Sequence, residues 1–464
     1  MSDPRARRRR RPRTTPADPA REAAFDVLAA IRDKDAYTNL VLPPLLRSRG
    51  ITGRDAAFAT ELVSGTVRRQ GTYDAVIAAN VDRPLAKVDA AVLDALRLGT
   101  HQLLAMRVPS HAAVGTSVDL VRSKVGQGPS GFVNAVLRKV AAHDLSGWVR
   151  RVAPDPASDP VGFSSVAHSH PRWVVSALAE ALGSETELDA LLAADNEPPK
   201  VTLVARPGLC TVEELVAAGG TASTLSPYAV QLGSGDPGEV PAVAGGRAGV
   251  QDEGSQLVAV ALSRAAVDGR DARWLDVCAG PGGKSALLAA LAGQTGARLL
   301  ASERQVHRAG LVASATATAG PGLLGVVAAD GTRPAWRDET FDRVLVDAPC
   351  SGLGALRRRP ESRWRRTERD VQELVPLQRA LLTGALDAVR PGGAVAYVTC
   401  SPVLAETAGV VSAVLAERDD VHLEDAAPLL PGLTDLAGPL PGTVQLWPHR
   451  HGTDAMFLAL LRRS

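Results

Sequence analysis

The chain has only four cysteines in 464 residues. That is too few for a disulfide framework, so they read as thiols of a reducing cytoplasm. No apolar run approaches the roughly 20 residues that a bilayer span needs, so no membrane partner is expected. The opening "MSDPRARRRRRPRTTPADP" carries charge without an apolar stretch, so no secretory signal is expected. No metal site is expected.

What is present describes an ordinary soluble protein, 45% hydrophobic and 22% charged. Its length exceeds one core, so two or three domains are expected. The net charge of +2 hides two basic clusters. Arg5, Arg7 to Arg11 and Arg13 form an N-terminal tail, residues 1–17, that reads either as a disordered solvated segment or as a phosphate contact. Arg357, Arg358, Arg359, Arg363, Arg365, Arg366 and Arg369 form the second cluster.

Residues 18–145 read as an all-helical bundle. Phe25, Leu28 and Ile31 share one helical stripe, as do Val88, Val92, Leu96 and Leu103. His101 and His111 are isolated and read as structural or surface residues. Residues 146–248 form a small mixed segment of helices and a strand near "KVTLVARPG", with Cys210 in a loop. From 249 to 464 the period changes. "RWLDVCAG", "ARLLASE", "GLLGVVAAD", "DRVLVDAPC" and "GGAVAYVTC" are strands alternating with helices, which predicts a parallel sheet with crossovers. Ligands of such sheets bind at the C-terminal strand ends.

Those ends hold the chemistry. "LDVCAGPGGKS" (Leu275–Ser285) is a strand, a glycine-rich turn and a helix start. Glycines there let a ligand approach the backbone. Neither P-loop nor dinucleotide spacing is present, so Lys284 and Ser285 do not mark a triphosphate site. Glu303, Asp330 and Asp347 close successive strands, suggesting a nucleoside-containing cofactor across the strand tips. Cys350 and Cys400 close two further runs, "VLVDAPCSGLG" and "AYVTCSP". If their strands are neighbours, both thiols face one cleft. Functional thiols and buried core cysteines both remain open on pattern alone. Cys278 reads as packing or loop backbone.

Together, "LDVCAGPGGKS", "DAPCSGLG" with "RRRPESRW", and "VTCSP" with Glu406 resemble the RNA 5-methylcytosine methyltransferases of the NOL1/NOP2/Sun family. The helical part, with "GFVNAVLRKV" near residue 131, is similar to the NusB RNA-binding domain. That pairing resembles the small-subunit ribosomal RNA methyltransferase B subfamily. The resemblance implies a multidomain chain: a NusB-like bundle, a small α/β segment for RNA recognition or linkage, and a Rossmann-like methyltransferase domain.

It implies S-adenosylmethionine as cofactor, with S-adenosylhomocysteine as product. The loop of Cys278, Ala279, Gly280, Pro281, Gly282, Gly283 and Lys284 would embrace the methionine end. Glu303 would hold the ribose, with Arg308 nearby, and Asp330 the adenine side; Asp347 borders the same site. Cys400 would attack carbon 6 of a cytosine, Cys350 would assist product release, and Asp347 would bind the cytosine edge. Arg357, Arg358, Arg359 and Arg363 would meet RNA phosphates. The implied partner is RNA, foremost 16S rRNA, for a cytoplasmic monomer. "VQDEGSQL" (250–257) and "WPHRHGTDAMF" resemble flanking family segments. Mild departures are Ala279-Gly280 for Ala-Ala, Glu303 for Asp, Thr407 for Asn, and Asp454-Ala455-Met456-Phe457 for Asp-Gly-Phe-Phe. Alternatives are the same reaction on tRNA or 23S rRNA, or a non-catalytic RNA-binding or antitermination protein.

Overall fold

A computed structural model describes residues 18–34, 36–233 and 235–464. The arginine tail lies outside the described residues. The chain divides into two compact units between Pro171 and Arg172.

The first unit is helical: α1 (Pro19–Lys34), α2 (Thr38–Ser48), α3 (Gly53–Arg68), α4 (Gln70–Ala78), α5 (Ala90–Leu104), α6 (Ser110–Lys124), α7 (Ser130–Val140), α8 (Leu145–Val152) and α9 (Pro160–Ala167). Sequence period decides which face turns inward. In α7, Val133, Val136, Leu137 and Val140 are buried, while Arg138 and Lys139 face solvent. In α5, Val92 and Leu96 are buried and Leu103 packs beside them; Val88, expected on the same helical stripe, packs there too but lies just before the helix in extended conformation. Asp89 caps this helix by accepting from the Val92 N–H at 3.1 Å. His101 is a buried core residue whose Nδ1 meets the Tyr73 hydroxyl at 2.8 Å, whereas His111 is exposed. Helices α8 and α9 pack on α4, so this unit runs past residue 145.

The second unit opens with α10 (Arg172–Leu182) and α11 (Glu185–Ala194). A small antiparallel sheet follows, built from β1 (Val201–Ala205), α12 (Val212–Ala217), β2 (Gly220–Ala222), β3 (Ala229–Leu232), α13 (Pro241–Ala244) and β4 (Ala248–Val250), in the order β2-β3-β1-β4. Then come α14 (Glu253–Arg264), β5 (Arg273–Asp276), α15 (Gly283–Thr295), β6 (Arg298–Glu303), α16 (Val306–Thr316), β7 (Leu323–Ala328), β8 (Phe341–Asp347), α17 (Ser362–Arg365), α18 (Glu368–Ala388) and β9 (Val389–Thr399). The chain closes with α19 (Ala408–Leu415), β10 (Val421–Glu424), β11 (Val444–Gln445), α20 (Pro448–His451) and β12 (Phe457–Arg463).

The main sheet runs β10-β12-β9-β8-β5-β6-β7, with β11 paired to β12. The five strands from β9 to β7 are parallel, as the alternation with helices predicts; β12 and β10 extend the sheet antiparallel. Strand pleating sends neighbouring residues to opposite faces. Trp274, Leu345, Ala396 and Val398 pack under α14 and α15. Leu275, Val344, Val346, Val395 and Tyr397 pack under α18 and α19. Both faces are thus covered and the strands are apolar throughout, which is why the sheet is legible as short hydrophobic runs. The architecture is a helical bundle followed by a Rossmann-like α/β unit that carries a small antiparallel sheet.

Candidate active site

The register of the sheet brings the two cysteine motifs together. Strands β8 and β9 are parallel neighbours, with Asp347 opposite Val398. Their loops therefore leave side by side, tied by Ala348 N–H to Val398 O and Gly354 N–H to Cys400 O, each 2.9 Å. Cys350 Sγ and Cys400 Sγ lie 3.4 Å apart. The two thiols differ in acidity. The hydrogen bond shared with Cys350, helped by the charges of Lys284 and Arg359, lowers the Cys400 pKa against burial and Asp347. The same bond, burial, and the charges of Cys400 and Glu406 raise Cys350 well above an ordinary thiol. Cys278 is also raised strongly, by burial and then by Asp276, Asp347 and Glu303. Burial foremost, with Glu214 beside it, pushes the Cys210 thiol up to about 11. Of the four thiols, Cys400 is the one whose pKa is lowered.

A buried carboxylate braces this pair. Glu406 is fully buried and accepts from the Ser351 N–H at 2.7 Å, the Ser351 and Ser401 hydroxyls at 2.5 Å each, and the Gln378 amide at 3.1 Å.

The glycine turn after β5 adjoins the same edge. Asp276 is buried; its carboxylate accepts from Ser285 Oγ at 2.6 Å and from the Cys278 N–H at 3.3 Å. Burial pushes its pKa up to about 7. At Gly280 any Cβ would run into the Glu303 carboxylate and the Arg308 guanidinium. The Gly280 N–H donates to Glu303 at 3.1 Å, and Arg308 donates to Gly280 O at 2.8 Å. Gly282 has φ of 112°, and its Cβ would meet Val312 and Ala315 of α16. Lys284 Nζ reaches back to Asp347 Oδ2 at 2.8 Å. Lys284 keeps a raised pKa because the Asp347 charge and hydrogen bond outweigh the lowering by burial. Asp330, beyond β7, is held below the usual carboxylate range by the Thr332 N–H and hydroxyl.

The structure thus brings Cys278, Lys284, Glu303, Arg308, Asp347, Cys350 and Cys400 to the C-terminal ends of adjacent strands. The donor set suits a nucleoside that carries a free amino acid: a glycine-rich turn, two acids and a cation. Gln251 adds a further fit. Its side chain is buried beside Gly283, and neither amide atom has a hydrogen-bond partner among the described residues. "VQDEGSQL" contained it, but no local pattern separates Gln251 from its neighbours.

The arginine cluster needs correction. Arg357 and Arg358 turn inward: Arg358 pairs with Asp252 at 2.6 Å and Asp454 at 3.0 Å, and Arg357 donates to Gly452 O at 2.8 Å. Arg363 is fully buried, donating to Asn196 Oδ1 at 2.8 Å and Asp195 O at 3.1 Å. These three guanidinium groups fasten distant segments of the unit together and are not a phosphate-facing surface. Of the four expected RNA contacts, only Arg359 is exposed.

Among the described residues there is no helix long and apolar enough to cross a membrane. Residues 266–462 match the family described as 16S rRNA methyltransferase RsmB/F, and residues 18–142 match the NusB family. A putative methyltransferase of Mycobacterium tuberculosis is 55% identical over 458 residues, covering 98% of this chain and 99% of that protein. A probable ribosomal RNA small subunit methyltransferase B of Synechocystis is 32% identical over 457 residues, covering 96% of this chain and 99% of the relative. The crystal structure of PH0851 shares the fold, with a TM-score of 0.77 at 22% identity over 96% of this chain and 99% of that one. The glycine turn, the strand-end acids and these likenesses agree: the chain belongs to the RsmB/F family of S-adenosylmethionine-dependent RNA methyltransferases and carries an N-terminal domain of the NusB family.

Proposed function

We propose that this chain methylates carbon 5 of a cytosine in 16S rRNA through a covalent bond from Cys400. The observation that carries the reading is the thiol pair: 3.4 Å apart, Cys400 pushed toward the thiolate and Cys350 held as the thiol.

Carbon 5 of cytosine is a poor nucleophile. Attack of the Cys400 thiolate on carbon 6 forms an S–C6 bond and moves an electron pair toward carbon 5 and the ring nitrogen. Asp347, braced by Lys284, faces the base edge and supports protonation at that nitrogen. S-adenosylmethionine supplies the electrophilic methyl group that carbon 5 takes up. Water then takes the carbon 5 proton, the C–H electron pair forms the C5=C6 bond, the S–C6 pair leaves on sulfur as the Cys400 thiolate, and the ring-nitrogen proton returns to Asp347, which restores the aromatic ring. Cys350 assists that elimination. The loop from Cys278 to Lys284 holds the methionine end of the cofactor, Glu303 with Arg308 the ribose, and Asp330 the adenine side. The target base must leave any stack to reach the strand ends. Of the four arginines expected to contact RNA, Arg359 is the exposed one and would meet RNA phosphate.

Bisulfite mapping of RNA from a strain lacking the gene tests the substrate. Loss of one protected cytosine in 16S rRNA supports the reading. An unchanged 16S pattern, with a cytosine lost in tRNA or 23S rRNA, would overturn it.

A further inference from the structure

Glu406 has no part in the chemistry above, yet it is the most heavily bonded side chain near the thiols. It has no solvent exposure and no cationic partner among the described residues. A carboxylate buried in this way loses its hydration and needs hydrogen-bond donors in return. It has four: one backbone N–H, two hydroxyls and one amide. A carboxylate is acceptor-only and matches such a set; an amide would turn its own N–H2 against a donor.

The identity of the donors carries the argument. Ser351 follows Cys350, and Ser401 follows Cys400. One carboxylate oxygen, Oε2, takes both hydroxyls, which lie 3.0 Å from each other. Gln378 of α18 completes the brace by donating to both Glu406 Oε1 and Pro349 O, the latter at 2.8 Å. Tyr397 of β9 fixes the Glu406 backbone by donating to its carbonyl at 2.7 Å. The two cysteine loops are thus tied to each other through a single acid, one residue beyond each thiol.

We propose that Glu406 is a positioning residue that sets the spacing between Cys350 and Cys400. The spacing rests on the geometry alone; its consequence for methylation rests on the reaction proposed above.

The test uses the purified full chain, with Glu406→Gln and Ser401→Ala as variants. The first readout is oxidation by diamide, with the linked peptides mapped by mass spectrometry. Both thiols lose hydrogen, an S–S bond forms, and two protons and two electrons reduce the azo group to the hydrazine. Wild type should link Cys350 to Cys400 readily, and each variant about tenfold more slowly or worse. The second readout is methylation: kcat should fall about 100-fold, the cost of a misplacement of about 1 Å, with KM for cofactor and RNA nearly unchanged. Variants that fold, crosslink and methylate like wild type overturn the proposal, as does a wild type whose two thiols do not link. If Glu406→Gln does not fold, Ser401→Ala, which removes one of the hydrogen bonds, decides by the same criteria. Slower linking in a protein that methylates no cytosine leaves the brace standing and removes the reaction; normal linking by the variants of a methylating enzyme does the reverse.

Discussion

Lys284 Nζ stands 2.8 Å from Asp347 Oδ2, joining the glycine turn after β5 to the end of β8. One ion pair therefore links the loop assigned to the cofactor with the strand that leads into the first cysteine. Asp347→Asn keeps the shape and removes the charge. Single-turnover methyl transfer should fall about 100-fold, in the range of a lost acid–base group. A rate near that of wild type would take Asp347 out of the chemistry.

The same cation bears on the thiols. Alkylation by iodoacetamide, followed residue by residue across pH, should show Cys400 reacting with a midpoint below that of an ordinary thiol and Cys278 above it. A positive charge favours the thiolate, so Lys284→Met should move the Cys400 midpoint upward. A downward move would contradict the assigned field.

Gly280 leaves no room for a side chain between Glu303 and Arg308. Gly280→Ala should weaken S-adenosylmethionine binding about tenfold or more, read by calorimetry, because the acid must leave its place. Gln251→Met should also weaken it while leaving the melting temperature unchanged or higher, since the amide makes no hydrogen bond whose loss costs stability. Unchanged affinity in both variants would place the cofactor elsewhere.

Arg363 is a buried peg, so Arg363→Ala should destabilise the second unit by about 3 kcal/mol, as when one partner of a buried polar pair is removed. Arg359→Ala should lower the salt dependence of RNA binding by roughly one phosphate contact. An unchanged salt dependence would take Arg359 out of the RNA interface.

These arginines show where reading the sequence stops. "RRRPESRW" is a basic patch to any local pattern; the partners that draw it inward are Asp252, Asp454, Asp195 and Asn196, each about a hundred residues or more away. Glu406 was visible as part of a motif, but its role needs Ser351 and Gln378 beside it. The glycine turn, the strand-end acids and both thiols were legible because each sits where a short apolar strand stops. Apart from β1, read near "KVTLVARPG", the antiparallel strands were not. In β12, "FLALLRR", five consecutive residues are buried, so no alternation marks it, and β2 and β4 have three residues each.

The central claim is that Cys400 forms the bond to RNA and Cys350 ends it. Incubating Cys350→Ala and Cys400→Ala chains with 16S rRNA and S-adenosylmethionine, then resolving protein–RNA adducts on denaturing gels, tests it directly. Cys350→Ala should accumulate a stable adduct, with the RNA mapped to Cys400, and Cys400→Ala should form none. An adduct that accumulates in Cys400→Ala, attached through Cys350, would contradict the account.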